Sequence, residues 1–381
     1  MSLFSILYFI TSLFLYILAI PYLLYKSRNK KYKDAIPAKF FLKNNKSFDN
    51  EKIWFHVCSM GEAKAIKQIA DEFQDSNISV ITNTGFDEAS KLSSNVRYLP
   101  FELFLPFWIK KQKALVVMEA ELWYFLFLFA KRKGAKTYLV NARISDKSYN
   151  SYKRFSFFYK RVFSNIDKIF AQTEIDKQRL EQLGAKNIEV IGNIKLAQLP
   201  KVTKEFTKPS DTLITAGSTH EKEEELILNS YKKEFGKLVI VPRHPERFHK
   251  VYELIKEFAG KNSLTCHRFS MKEDFTSDII LVDKLGELNN IYAISDVVIL
   301  GGAFANVGGH NPVEPAFFEC KLISGKRIFN QKSLFECVNN YKIIEDNELE
   351  EALKNCEKMK KSSLVQEGDI QPILKELNGI R

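Results

Sequence analysis

From residue 50 onward the chain alternates short apolar runs with helical patterns, breaks off once, and starts the same alternation again; no other feature limits its folding options as much. The first series is "KIWFHV" (52–57), "ISVITN" (78–83), "ALVVME" (114–119), "KTYLVN" (136–141), "KIFAQ" (168–172) and "IEVIGN" (188–193). Strands separated by helices of this kind are the βαβ rhythm of a parallel sheet. A polar stretch, "LPKVTKEFTKPSD" (199–211), reads as a linker. The second series is "TLITAGS" (212–218), "KLVIVPR" (237–243), "DIILVD" (278–283), "DVVILGG" (296–302) and "CKLISG" (320–325). The expectation is therefore an α/β chain of two Rossmann-like, doubly wound domains. Its 381 residues exceed one ordinary core, and 45% hydrophobic with 27% charged residues suffice for two. Such sheets bind ligands beyond the carboxyl ends of their strands, which points to a cleft shared by the two domains.

Ahead of this lies "MSLFSILYFITSLFLYILAIPYLLY", 1–25, without a charge and long enough to cross a hydrocarbon core of about 30 Å as a helix. Lys26, Arg28, Lys30, Lys31 and Lys33 follow, so the positive-inside bias puts the remainder in the cytoplasm. A signal peptide would carry its charge before the apolar run and have a shorter one. A helix lying flat or docked on the body is the other reading that Pro21 leaves open, and both belong at a membrane. The domain expectation is an anchor and basic flank at 1–33, one Rossmann-like domain at 34–200 and another at 201–381, with the last helix free to cross back to the first. The net charge of +11 suggests an anionic partner. Dispersed basic residues and the lack of a binding motif argue against nucleic acid. Five scattered cysteines without CxxC spacing imply neither a disulfide framework nor zinc.

Polar clusters follow the strands: "HVCSMGEAKA" (56–65), "MEAELW" (118–123), "NARISDKS" (141–148), "GNIK" (192–195), "GSTHEKEEE" (217–225), "VPRHPERF" (241–248), "GEL" (286–288) and "GGHNPVEP" (308–315). In the last, Asn311 suits an N-cap, Pro312 a first helical position and Glu314 a capping-box carboxylate. A helix N-terminus with a glycine approach suits a nucleotide phosphate, although a capping box without a ligand reads equally well. Ser218 and Glu221 offer a second cap and box. Glu62, just after a glycine turn, stands near a helix start, where it is either an ionised, positioned base or a charge complementing the dipole.

Taken in order, these clusters resemble the 3-deoxy-D-manno-oct-2-ulosonic acid (Kdo) transferases of lipopolysaccharide assembly, over nearly the whole chain and including the anchor. The resemblance implies a GT-B glycosyltransferase that moves Kdo from CMP-Kdo to a lipid A precursor at the cytoplasmic face of the inner membrane. It implies Glu62 as the general base, and Glu119 and Lys195 as stabilisers of the transition state. Lys195 suits the Kdo carboxylate or the departing CMP, and Glu119 suits oxocarbenium-like charge. Glu121 shares the side of Glu119 if the strand continues, and the two are then equivalent. Around CMP the resemblance puts Pro242, Arg243, Leu285, Gly286, Glu287, Asn311, Pro312, Val313 and Glu314, with Ser218, Thr219 and His220 toward the phosphate. Arg243 offers a fork of donors, and Glu314 could accept from ribose hydroxyls.

No cofactor or metal is expected, since His220, His244 and His310 follow different strands without a ligand spacing. Two departures stand out: Lys222 replaces a glycine usual in the family, adding a cation, and Ala303 replaces a serine, removing a hydroxyl. Alternatives are another membrane-associated GT-B glycosyltransferase, a nucleotide-sugar epimerase, or a non-catalytic nucleotide-sugar binder. The anchor and "FELFLPFW" (101–108) argue for a lipid-borne acceptor and against the epimerase.

Overall fold

The computed structural model describes residues 2–29, 32–197 and 200–380. Lys30 and Lys31 of the basic flank and Leu199 at the head of the linker lie outside the described residues. The chain divides into two compact units: Met1–Gln198 with Glu367–Arg381, and Leu199–Gln366.

The first unit is built on seven parallel strands, β1 (Ile53–Val57), β2 (Asn77–Val80), β3 (Val96–Tyr98), β4 (Ala114–Met118), β5 (Lys136–Ala142), β6 (Lys168–Ala171) and β7 (Ile188–Val190), in the order β3-β2-β1-β4-β5-β6-β7. β1, β2 and β4 are buried along their whole length, because helices cover both faces of a doubly wound sheet. One face packs Trp54, Leu115, Val117, Phe125 and Phe127; the other packs Phe55, Val57, Ile66, Ile78 and Val116. Burying each of these large side chains contributes about 1.5–3 kcal/mol. The order reverses between β1 and β4, and the crevice outside their carboxyl ends is where such sheets take ligands.

The second unit repeats the plan with β8 (Leu213–Thr219), β9 (Lys237–Pro242), β10 (Cys266–Arg268), β11 (Ile279–Leu281), β12 (Val297–Leu300) and β13 (Lys321–Gly325). A small antiparallel pair, β14 (Val338–Asn339) with β16 (Ser363–Leu364), flanks β15 (Tyr341–Ile344) in the chain. The main sheet runs β10-β11-β9-β8-β12-β13-β15, all parallel, with its reversal between β8 and β12. Each unit is thus a doubly wound, Rossmann-like α/β domain, as the sequence leads one to expect.

Helix Leu3–Ser27 is the one described helix long and apolar enough to cross a membrane. One side of it is docked on the first unit. Ser5 Oγ lies 2.9 Å from Tyr124 Oη, the Tyr8 hydroxyl donates to the buried Glu102 carboxylate, and Tyr16 donates to the Phe40 carbonyl at 2.6 Å. Leu3, Leu7, Ile10, Phe14, Leu18 and Tyr25 remain exposed. Within "FELFLPFW" the expected lipid-facing surface is mostly core: Glu102, Leu103, Leu105 and Trp108 are buried, and Phe107 alone is fully exposed, at 80%.

Candidate active site

In the first unit the switch point gathers carboxylates. β1 ends at Val57, and Ser59, the N-cap of helix Met60–Ala65, turns the chain so that Glu62 enters the third helical position. Glu62 Oε2 accepts from the Cys58 N–H at 2.7 Å and Oε1 from the Ser59 hydroxyl at 3.1 Å, while Ser59 Oγ accepts from the Glu62 N–H at 3.5 Å. These contacts are those of a charge that complements a helix N-terminus. Burial pushes the Glu62 carboxyl up to about 7, against the Cys58 N–H and with the help of Glu119 and Glu121. A carboxyl poised there is in the range suited to a general base at neutral pH.

Glu119 and Glu121 are separated by the backbone. The strand does not continue past Met118: Glu119 takes φ +53°, a left-handed conformation uncommon outside glycine and typical of strained functional positions. Glu119 Oε1 pairs with Lys195 Nζ at 2.6 Å, the lysine being carried on the turn Ile194–Leu196 after β7. Glu121 turns elsewhere, accepting from the Trp123 indole at 2.6 Å and facing His56 Nε2 at 3.9 Å. Burial raises the Glu121 pKa, but His56, Trp123 and Cys58 outweigh it and hold the carboxyl below its ordinary value. Glu121, held below its ordinary range, thus neighbours Glu62, which holds its proton more tightly. Lys39 is a further cation here that sequence reasoning does not find. Its ammonium donates to the Ile81 carbonyl at 3.3 Å, and burial lowers its pKa against the pull of Cys58 and Glu121.

In the second unit the loops leaving β8 and β12 meet. Ser218 and Thr219 remain within β8, and Ser218 has φ +55° at a shift in the β8–β9 register. The expected cap at Ser218 is therefore incorrect: helix Glu223–Ser230 begins later, behind Lys222 at φ +75°, and Glu221 points to solvent on Lys250. Helix Val313–Phe317 also starts one residue later than expected, with Pro312 rather than Asn311 at the N-cap position. Asn311 Oδ1 does accept from the Val313 N–H at 3.0 Å, but Glu314 takes the Asn311 side-chain amide at 3.1 Å rather than a backbone N–H, so no capping box closes. Five residues carry only a weak dipole, and one of its N–H groups is already occupied. Burial raises the Glu314 carboxyl. Pro242 ends β9, and the exposed Arg243 follows it, with no side-chain hydrogen bond or ion pair to the described residues.

The structure brings together histidines that the sequence keeps apart. His220 Nε2 and His310 Nε2 are 2.8 Å apart with rings stacked at 5.0 Å, and the His244 ring lies 5.3 Å from His220. Burial first, with His220, Arg243 and His244 alongside, pushes His310 down to about 4. At least one ring of the pair is consequently neutral, because the short contact needs one donor and one acceptor. Among the described residues no group has the arrangement of a metal site. Ala303 is fully buried, so the serine it replaces would lie in the core of this loop. Leu285, Gly286 and Glu287 stand on the turn after β11, where Gly286 has φ +89° and Glu287 accepts from Asn290 at 2.8 Å. No hydrogen bond or ion pair among the described residues joins them to Arg243 or the octapeptide.

The family described as "3-Deoxy-D-manno-octulosonic-acid transferase (kdotransferase)" matches residues 28–198. A "3-deoxy-D-manno-octulosonic acid transferase" of Haemophilus influenzae is 30% identical over 361 residues, 86% of this chain and 83% of the relative. A "Bifunctional glycosyltransferase/methyltransferase" of Fusobacterium nucleatum is 37% identical over 309 residues, 73% of this chain, and the chain spans only 48% of that longer protein. Among solved structures, the C-terminal CMP-Kdo binding domain of WaaA from Acinetobacter baumannii is 26% identical, covers 44% of this chain and 86% of that chain, and has a TM-score of 0.34. A likeness that loose carries no argument.

Proposed function

Because the chain belongs to the 3-deoxy-D-manno-octulosonic acid transferase family of glycosyltransferases, we propose that it transfers Kdo from CMP-Kdo to a hydroxyl of a lipid A precursor, with inversion. The observation that carries the reading is the Glu62 carboxyl, buried beyond β1 at the switch point, raised to about 7 and flanked by Glu119 and Glu121. In the proposed step the acceptor oxygen attacks the anomeric carbon of Kdo while Glu62 Oε takes its proton. The bond from that carbon to the CMP phosphate oxygen breaks, and CMP leaves with the electron pair. Lys195 faces the Kdo carboxylate or the departing anion, and Glu119, paired with it at 2.6 Å, balances positive charge developing on the sugar ring.

On the donor side, Pro242, Arg243, Leu285, Gly286, Glu287 and Asn311 to Glu314 hold the nucleotide, with Ser218, Thr219 and His220 toward its phosphate. The mechanism uses no metal or cofactor: the Arg243 guanidinium and backbone N–H groups receive the anionic leaving group. The exposed apolar side of helix Leu3–Ser27 holds the protein at the inner membrane, where a lipid-borne acceptor resides. Incubation with CMP-Kdo and a tetraacylated lipid A precursor, followed by mass spectrometry, tests this. A product heavier by one or more Kdo units is expected, and an unchanged acceptor would refute the reading.

A further inference from the structure

The donor unit buries a carboxylate to which nothing above gives a task. Glu223 opens helix Glu223–Ser230 and is 1% exposed. Its Oε2 accepts from the backbone N–H groups of His220 and Gly302, both at 2.8 Å. Its Oε1 accepts from those of Phe304 at 3.0 Å and Ala305 at 2.9 Å. No lysine or arginine forms an ion pair with it among the described residues. All four donors belong to the two loops that leave the adjacent strands β8 and β12.

The amides of Gly302, Phe304 and Ala305 converge as a concave nest, which favours an anion, and hydrogen bonds to an ionised group are about twice as strong as neutral ones. Gly302 reaches this geometry at φ +74°, and a Cβ there would meet the His310 ring at 2.9 Å. The carbonyl of the same Gly302 accepts from the N–H groups of Gly308 at 3.1 Å and Gly309 at 2.9 Å. The hold therefore passes from Glu223 through Gly302 to the two glycines that immediately precede His310 and Asn311. On the other loop Glu223 fixes the amide of His220, whose ring meets His310 at 2.8 Å.

We infer that Glu223 is a positioning residue that ties the glycine-rich loop 301–309 to His220 and so shapes the surface receiving the donor nucleotide; this rests on the donor reading of the second unit. A glutamine in its place has the same shape but only one acceptor oxygen, and its amide hydrogens face two N–H donors. Two of the four amides then lose their partner and the other two keep a weaker, uncharged one, while the helix keeps its first residue.

The test uses the full chain carrying Glu223→Gln. Without ligand, amide hydrogen exchange at Gly302, Phe304 and Ala305 is expected to accelerate about tenfold or more, while the amides of β8 and β12 keep their protection. By calorimetry the Kd for CMP is expected to rise about 10–100-fold, the range for losing charge-assisted hydrogen bonds. The loss should appear in the donor KM, with kcat at saturating donor within about twofold, and Glu223→Asp, which keeps the charge, should recover part of it. Glu225→Gln, exposed on the same helix, should change nothing. Wild-type exchange rates or wild-type CMP affinity in Glu223→Gln would overturn the inference. If that variant does not fold, the native protein decides: the three amides exchanging as freely as exposed loop residues would overturn it as well. Failure of the native protein to bind CMP would instead remove the donor reading, while the exchange measurement still reports on the tie itself.

Discussion

Glu62, Glu119 and Glu121 are the same residue type gathered at one switch point, and they differ because their partners differ. If Glu62 is the base, Glu62→Gln keeps the contacts to Cys58 and Ser59 but accepts no proton, so turnover should fall by about 10²–10⁴-fold with CMP affinity unchanged. The native rate should rise with pH through about 7, and the variant should lose that limb. Stability should move the other way. A carboxyl with a raised folded pKa binds its proton more tightly in the folded state, so its contribution is fully present below the ordinary value of 4.5 and is lost as pH rises through about 7. Glu62→Gln should therefore gain in Tm over the native protein between about pH 5 and pH 8, and equal differences at both ends would contradict the burial of this charge. For Arg243→Ala, calorimetry should record a loss of roughly 1.5–3 kcal/mol in CMP affinity, the range for a charge-assisted hydrogen bond. Legibility at this scale is uneven. The sequence presents Glu62, Glu119 and Lys195 as chemistry-bearing residues after strands, but their pairing depends on where β4 stops. Nothing in "MEAELW" announces a left-handed backbone at Glu119. Glu223 is hidden in a run of three glutamates, where residue type alone does not tell the buried Glu223 and Glu224 from the exposed Glu225.

The long strands were legible because they are apolar on both faces, the mark of a covered parallel sheet. β3, β10 and β15 were missed. They are three or four residues long and carry Arg97, His267, Arg268 and Lys342, so neither alternation nor an apolar run identifies them. The helices of the two loop clusters were misplaced because caps were assigned from residue type alone, whereas the bulge at Ser218 keeps that residue in β8. The N-terminal helix is legible in its apolarity but not in its docking. Tyr8 lies in a core cluster with Tyr124, Phe125 and Phe158, and its hydroxyl supports the ionised form of Glu102, whose carboxyl burial pushes up to about 7. A chain beginning at Lys33 should therefore leave vesicles, as read by sedimentation, and keep its CMP affinity, since the donor unit has cores of its own. Its acceptor unit should also unfold at a lower temperature, because Glu102 and Tyr124 lose their partners. A truncated chain that pellets as fully as the intact one would refute the anchoring role.

The path of the whole chain adds a constraint that neither unit shows by itself. After the second unit the chain returns to the first: the Asp369 N–H donates to the Ile191 carbonyl at 2.8 Å, Glu376 pairs with Lys168 at 2.9 Å, and Ile373 and Leu377 are buried beside Ile191 and Ile194. Gly192 makes room for the return, since a Cβ there would strike the Glu367 carbonyl at 1.7 Å. Removing residues 367–381 should cost the acceptor unit about 3–6 kcal/mol, from two buried aliphatic side chains at about 1.5–3 kcal/mol each, and leave CMP binding unchanged. Conversely, CMP at about a hundred times its Kd should raise only the donor unit's unfolding transition, by about 2.7 kcal/mol. Scanning calorimetry of the native and shortened chains reads both effects, and a CMP-dependent shift of the acceptor transition would contradict the second. The return also sets a timetable for biosynthesis. Helix Leu3–Ser27 precedes in the chain the sheet it docks on, and that sheet lacks part of its core until residues 199–366 and then Ile373 and Leu377 have been made. The second unit is uninterrupted in the chain and can close before the half carrying Glu62, which is complete only with residues 367–381.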